Sequence, residues 1–324
     1  TEIYTLSLHD ALPISEVRAL VKAAREHKVV TQLGNQGHSS ATMRTFREWI
    51  EDGAIGSVHT VHACCRKAHS RIRDLPKLAE KHEPPAELDW DAWLGPAPFR
   101  PYHPLYLPST WRDWRPFGTD TIGDWTCHVV DPVFWTLDLG APTAVTAKVT
   151  DGYDPKAHAD TFPLGSQIEF EFPARGPRKA VKVIWYDGSQ KPPRPPELEA
   201  ERNPPDTGAI VVGDKGTITY GSHGAGSVRL IPETRMQAYK RPPERIPRVR
   251  SHHGDWLDAI REGRQAGSSF DYGGPLTELA LLGVIAQRLP GTRLEWDGPA
   301  GRFTNCDPAN AFLTPPNPRP GWGV

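Results

Sequence analysis

The chain has 324 residues, enough to bury a sizeable core and to fill two ordinary domains. Lys+Arg total 38 against 39 Asp+Glu, a formal charge of -1. This excludes a global basic field for nucleic acid or an anionic membrane and leaves a small, neutral molecule as the expected partner. The 34 prolines and 29 glycines are spread between apolar runs without period, as in a loop-rich globular enzyme. Four cysteines, Cys64, Cys65, Cys127 and Cys306, form no C-x-x-C pair and read as reduced structural thiols. No apolar stretch approaches the roughly 20 residues that span a bilayer.

The opening residues, TEIYTLSLHDALPI, lack the basic, apolar and small-residue regions of a signal peptide. Back-translated, Glu2 to Ile14 resemble a common short-read sequencing adapter, so residues 1–14 are expected to be foreign to the fold and a native N-terminus to be missing. From Ser15, a plausible N-cap, Val17, Leu20, Val21 and Ala24 recur at helical spacing. Val29 to Leu33 reads as a buried strand closing at Gly34, and a helix over 40–52 stops at Gly53. Helix, buried strand, helix is the rhythm of a parallel α/β sheet.

Residues 57–66 alternate and predict a longer strand opening a new sheet. The segment 68–118, rich in Pro, Trp and charge, is an elaborate loop of the kind that carries ligand contacts. Its aromatics Trp90, Trp93, Tyr102, Tyr106, Trp111 and Trp114 suit sugar stacking or plain packing equally. Thr121 to Leu139 predicts a helix. Strands follow at 143–149, 166–172, 180–186, 209–213 and 216–220, the last two as the hairpin VVGDKGTITYG, in a mostly antiparallel sheet. The Pro-rich stretch 191–205 is a loop, the basic cluster 241–250 a solvated one, and helices return at 252–262 and 275–289.

Asp124 and His128, four residues apart in GDWTCHVVD, project from one helix face. A carboxylate beside an imidazole can orient it and let it exchange a proton near neutral pH. Pro132 lacks the N–H that would bond the carbonyl of His128, so a kink or restart is expected just after the histidine. An i,i+4 surface pair is the plain alternative, but the surrounding helix is largely apolar, and a polar pair there needs a partner or a task. A metal reading would enlist Asp131 and needs further ligands, for which only His252 and His253 offer themselves; those two fit better as residues that cap or pack the next helix. No metal is expected. G-x-G-x-x-G, H-E-x-x-H, G-x-S-x-G and the P-loop pattern are all absent.

Several segments in the right order resemble the Gfo/Idh/MocA oxidoreductases: EVRALVKAAREHKVVTQLGNQGHS, IEDGAIGSV, DWDAWLGPAP, then Trp111-Arg112, Gly118, Gly123 and the D-x-x-x-H-x-x-D of Asp124, His128 and Asp131, and finally HHGDWLDAIREG and FDYGGPLTELALLG. The resemblance covers nearly everything after residue 15. It implies an α/β (α+β) fold in which 15–56 is the end of an N-terminal Rossmann domain and 57–324 a C-terminal α/β domain. That second domain would bind substrate and carry a large, mostly antiparallel open sheet that mediates homo-oligomers. It implies hydride transfer between NAD or NADP and a sugar, polyol or cyclitol, with His128 as acid/base and Asp124 orienting it or binding substrate. Trp111 and Arg112 match a segment near cofactor and substrate. Gln32 and Asn35 follow a predicted parallel strand, where α/β sheets bind ligands. The family's Gly-rich turn, ribose-binding acid and E-K-P lysine would precede residue 15, so the fragment as written is expected to bind dinucleotide poorly and to be inactive. Alternatives within the resemblance are an NAD-dependent glycosidase and a non-catalytic sugar-binding or oligomerisation module.

Overall fold

A computed structural model describes residues 13–315 and 318–322. The adapter-like stretch lies outside these residues except for Pro13 and Ile14. Ile14 opens the first helix and is buried in the core. That helix, α1 (Ile14–Glu26), has Pro13 rather than Ser15 at its N-cap, since Ser15 is already helical. α2 (Ala41–Glu51) is capped by the Ser40 hydroxyl, which accepts from the Met43 amide at 3.3 Å, and buries Met43, Phe46 and Trp49.

Strand β1 (Val58–Cys65) follows, then a loop region containing the short α3 (Trp90–Leu94). The helix expected over 121–139 is two: α4 (Asp120–Val129) and α5 (Asp131–Thr136), broken at Val130 where Pro132 interrupts the ladder. β2 (Ala144–Val149), β3 (Ser166–Phe172), β4 (Val181–Asp187), β5 (Thr207–Gly213) and β6 (Gly216–Gly221) match the predicted strands within two residues. Then come β7 (Gly226–Ile231), α6 (Glu233–Ala238), α7 (His252–Glu262), α8 (Phe270–Ala286), β8 (Arg293–Asp297), β9 (Arg302–Phe303) and α9 (Asp307–Asn310). α7 is capped by Ser251 and ends at Gly263 in the left-handed conformation (φ 66°). α8 begins five residues earlier than expected, with Pro275 inside it.

The strands form one nine-stranded sheet in the order β7-β6-β5-β1-β4-β3-β2-β8-β9. β1 runs parallel to β4; every other pairing is antiparallel. β1 therefore lies inside this sheet, between β5 and β4, and the alternation that marks it puts Val61, Ala63 and Cys65 in the core. α8 packs on α1, α4 and β2, with Gly283 against Ile122 and Phe170. Fully buried Trp185, Phe46, Ile122 and Tyr220 belong to one apolar cluster, each side chain worth roughly 1.5–3 kcal/mol by burial.

The expected strand at Val29 to Leu33 is not formed: Val29 is exposed, and no described strand lies beside the segment. A lone extended segment has no ladder to join. α7 and the turn before α8 hold it instead. The Leu33 amide donates to the Ser268 carbonyl at 2.7 Å and the Trp256 indole to the Val30 carbonyl at 3.0 Å. Residues 14–56 share their apolar cluster with the sheet.

Candidate active site

The parallel pair β1 and β4 sets the site. Both strands end at one edge, where Lys67 and His69 follow β1, Asp187 closes β4, and the Gly188 amide donates to the Lys67 carbonyl at 2.9 Å. Carboxyl ends of parallel strands are where α/β sheets place ligands. The Thr121 hydroxyl accepts from the His69 amide at 3.2 Å, which fixes α4 against the same edge.

Gly118 allows the preceding turn to fold on itself, since a Cβ there would lie 2.1 Å from the Arg112 carbonyl oxygen. The turn brings Arg112 to α4, with its Nε 3.4 Å from Asp124 Oδ1. His69 Nε2 lies 3.4 Å from Asp124 Oδ2, while its Nδ1 is 2.6 Å from Asp113 Oδ1; Arg71 Nε donates to Asp113 Oδ2 at 2.6 Å. Burial pulls the His69 imidazole down, yet the hydrogen bond to Asp113 and the nearby Asp124 carboxylate, with the field of Asp120, hold it at about 9. His69 is thus a cation at neutral pH, and Asp124 sits between it and Arg112. Sequence reasoning passed over His69; its place just beyond a strand at the sheet's parallel step was the available signal.

His128 lies one turn further on. Its ring stacks on His223 (centroids 4.2 Å apart, 17° between planes) and meets Trp125 edge-on at 5.7 Å; Lys67 Nζ sits 4.6 Å from the Trp125 ring centre. The carbonyl that Pro132 cannot serve is taken by the His223 amide at 2.8 Å, and the Tyr220 hydroxyl donates to the next carbonyl, that of Val129, at 2.9 Å. The β6–β7 turn thereby closes the helix break. The turn is pinned from behind: the Ser40 and Thr42 hydroxyls donate to the Gly224 carbonyl at 2.8 and 2.6 Å, and a Cβ on Gly37 would lie 2.5 Å from the His223 carbonyl carbon.

Gln32 and Asn35 stand elsewhere. Gln32 Nε2 donates to the His252 carbonyl at 2.8 Å, and its Oε1 accepts from the Ser268 amide at 3.3 Å. Asn35, fully buried, donates to Asp131 Oδ2 at 3.1 Å and accepts from the Ser268 hydroxyl at 2.6 Å. Asp131 also takes His38 Nδ1 at 3.0 Å and the Tyr272 hydroxyl. These groups form a buried knot joining residues 32–38 to α5, α7 and α8, and their polar atoms are committed to protein partners. His252 belongs to it, its Nε2 2.7 Å from the Leu33 carbonyl.

Beneath α4, the side chain of Gln287 donates to Asp120 Oδ2 at 2.6 Å and to the Ser166 hydroxyl at 3.1 Å; that hydroxyl is 2.9 Å from each oxygen of Asp187. Burial, and then the Asp120 carboxylate, push Asp187 up to about 8, and burial raises Asp120 too.

Trp93 and Trp111 line a cavity of about 1000 Å³ between α1, the 93–119 segment and the end of α8, whereas Trp114 is wholly buried and Trp90, Tyr102 and Tyr106 pack on one another. Burial pushes the Cys64 and Cys65 thiols up to about 12 and 11, as expected of structural cysteines. Glu80, His82 and His103 converge within 4.8 Å, but the Leu105 amide already claims His103 Nδ1 at 3.2 Å, which leaves the proton on the nitrogen a cation would need. In the basic cluster, Arg248 is structural rather than solvated: its guanidinium forks onto buried Glu48 at 2.6 and 2.8 Å.

Residues 73–182 match the family model described as "Oxidoreductase family, C-terminal alpha/beta domain" of the Gfo/Idh/MocA proteins. The chain has the Gfo/Idh/MocA fold. Among solved structures it is similar to the WlbA dehydrogenase of Bordetella pertussis, crystallised with NADH and UDP-GlcNAcA (TM-score 0.52, 14% identity, 88% of this chain and 68% of that one). It is also similar to the aldose-aldose oxidoreductase of Caulobacter crescentus (TM-score 0.50, 15% identity, 88% and 69%). A third is a levoglucosan dehydrogenase complexed with NADH and levoglucosan (TM-score 0.50, 14% identity, 87% and 71%). No curated protein matches the chain by sequence. Within this Gfo/Idh/MocA fold, the matched segment ends in β4 and so contains Trp111, Arg112, Asp124, His128 and the His69 edge only in part, since His69 precedes it.

Proposed function

We propose that these residues serve an NAD(P)-dependent oxidoreductase acting on a sugar, polyol or cyclitol, with His128 as acid/base and Asp124 as the carboxylate that orients the substrate hydroxyl. The carrying observation is the pairing, on one helix, of an imidazole held by a ring stack with a carboxylate set between two cations. The relatives crystallised with NADH and sugars support the choice of cofactor and substrate class. A nicotinamide ring, when bound, supplies the hydride acceptor or donor. The chain's own residues do the rest.

His128 takes the hydroxyl proton as the carbon is oxidised and returns it on reduction. Its ring cannot rotate freely, because one face lies on His223 and the main chain on either side of that contact is tied down. Asp124, set between His69 and Arg112, accepts a hydrogen bond from the substrate. Trp111, over which Arg112 lies at 4.4 Å, would help to hold the cofactor. Gln32 and Asn35 fit a cofactor role poorly, since the buried knot consumes their polar atoms. The polar outer face of the sheet, with Lys182–Glu169 and Arg293–Glu171 pairs, is our proposed self-association surface.

In the intact protein, NADH formation followed by absorbance with a panel of polyols and aldoses should be stoichiometric with product. His128→Ala should lower kcat by about 10²–10⁴-fold with cofactor binding unchanged. Aryl-glycoside cleavage without net NADH would instead select the glycosidase.

A further inference from the structure

The cavity beside Trp111 carries a charge problem of its own. Arg288, two residues past the end of α8, lies half-buried on its wall, with its guanidinium 4.5 Å from the Phe312 ring centre. Among the described residues no carboxylate pairs with it. Arg115 lines the same cavity; its Nε donates to the Thr161 carbonyl at 2.9 Å and one Nη to the Tyr153 hydroxyl at 2.8 Å, while its Nη1 is buried with no hydrogen-bond partner. The two guanidinium groups also oppose one another: burial first, and then the Arg115 charge, push Arg288 down to about 10. Two carboxylates reach the same walls, Glu16 and Asp160. Asp160 is drawn to Arg100 at 3.4 Å, and among the described residues neither forms an ion pair with Arg115 or Arg288.

A buried guanidinium without a counter-charge is expensive, and planar donor forks match oxyanions. We infer that this cavity binds a small molecule through its oxyanion, a carboxylate or phosphoryl group bridging Arg115 Nη1 and Arg288, with the rest of the molecule against Trp93, Trp111 and Phe117. At about 1000 Å³ the space accommodates a ligand well beyond a bare ion. Carboxylate and phosphoryl share the recognition chemistry, and the source is a matter for the probes. The inference shares Trp111 with the oxidoreductase reading but rests on neither Asp124 nor His128, so a failure of one leaves the other standing.

The test is thermal melting and tryptophan fluorescence of the full chain, in a zwitterionic buffer of low salt, against inorganic phosphate, glucuronate, NAD+ and, as the neutral control, glucose. At least one anionic probe should raise the Tm and shift the emission saturably, with glucose inert. Arg288→Met should weaken that response by at least about tenfold, and Arg288→Lys should lose less. Without an anion, Arg288→Met should be as stable as the parent or more so. A response to glucuronate alone identifies an acidic sugar, to phosphate a phosphoryl ligand, and to NAD+ alone the cofactor's own phosphates. The inference is overturned if no anionic probe acts, if Arg288→Met responds as the parent does, or if Arg288→Met unfolds the chain in anion-free buffer, which would make Arg288 structural.

Discussion

At the scale of single residues, His69 decides how the site is charged. Its pKa of about 9 in the folded chain lies above the ordinary 6.5, so its contribution to stability is fully present below about pH 6.5 and fades as pH rises through 9. The Tm difference between the parent and His69→Gln should therefore shrink from pH 6.5 to pH 9.5; a constant difference would show that His69 does not titrate in this range. Asp187 moves the same way for a different reason. A carboxyl raised to about 8 keeps a proton that the unfolded chain releases near 3.8, so its ionisation destabilises the fold as pH climbs through that window. Asp187→Asn should flatten that part of the stability profile, measured by denaturant titration at pH 5, 7 and 9. The placing of Asp124 and His128 on one helix was legible in sequence through helical spacing. His69 and His223 were not, because their roles arise from contacts across 55 and 95 residues of chain, which no local periodicity encodes.

At the scale of elements, local rules worked where an element satisfies itself and failed where it leans on distant chain. α7 lies at the expected 252–262, with Ser251 as its cap and Gly263 as its stop, and Pro132 announced the break between α4 and α5. The Val29 to Leu33 run looked like a strand because burial and β-branching are local, but pairing is not. β7, with its left-handed Ser227 and little apolar alternation, gave no pattern to read. The β6–β7 turn is the element whose disturbance should be most informative. Gly37→Ala would drive a Cβ into the His223 and Gly224 backbone, costing about 1–3 kcal/mol and shifting the ring off His128. We expect turnover in the intact protein to fall by more than the folded fraction does, measured by comparing specific activity with circular dichroism at the same temperature. Equal losses would mean that the turn only holds the fold.

For the molecule as a whole, the sheet's mostly antiparallel character followed from hairpin spacing and turn signals, whereas the strand order, with β1 lodged between β5 and β4, was invisible to any local pattern. That position has a consequence for how the chain comes to be folded. Val58–Cys65 is synthesised well before its partners, residues 181–187 and 207–213, so its backbone groups wait for well over a hundred residues before they can pair. Leu33 and Val17 wait longer still, for Gly273 and Gly274 of α8 to cover them. Nascent chains stalled at about residue 200 should therefore be protease-sensitive throughout and bind chaperones, while chains released beyond about residue 290 acquire protection in one step. Protection of residues 14–56 in the shorter chains would show that they fold without α8.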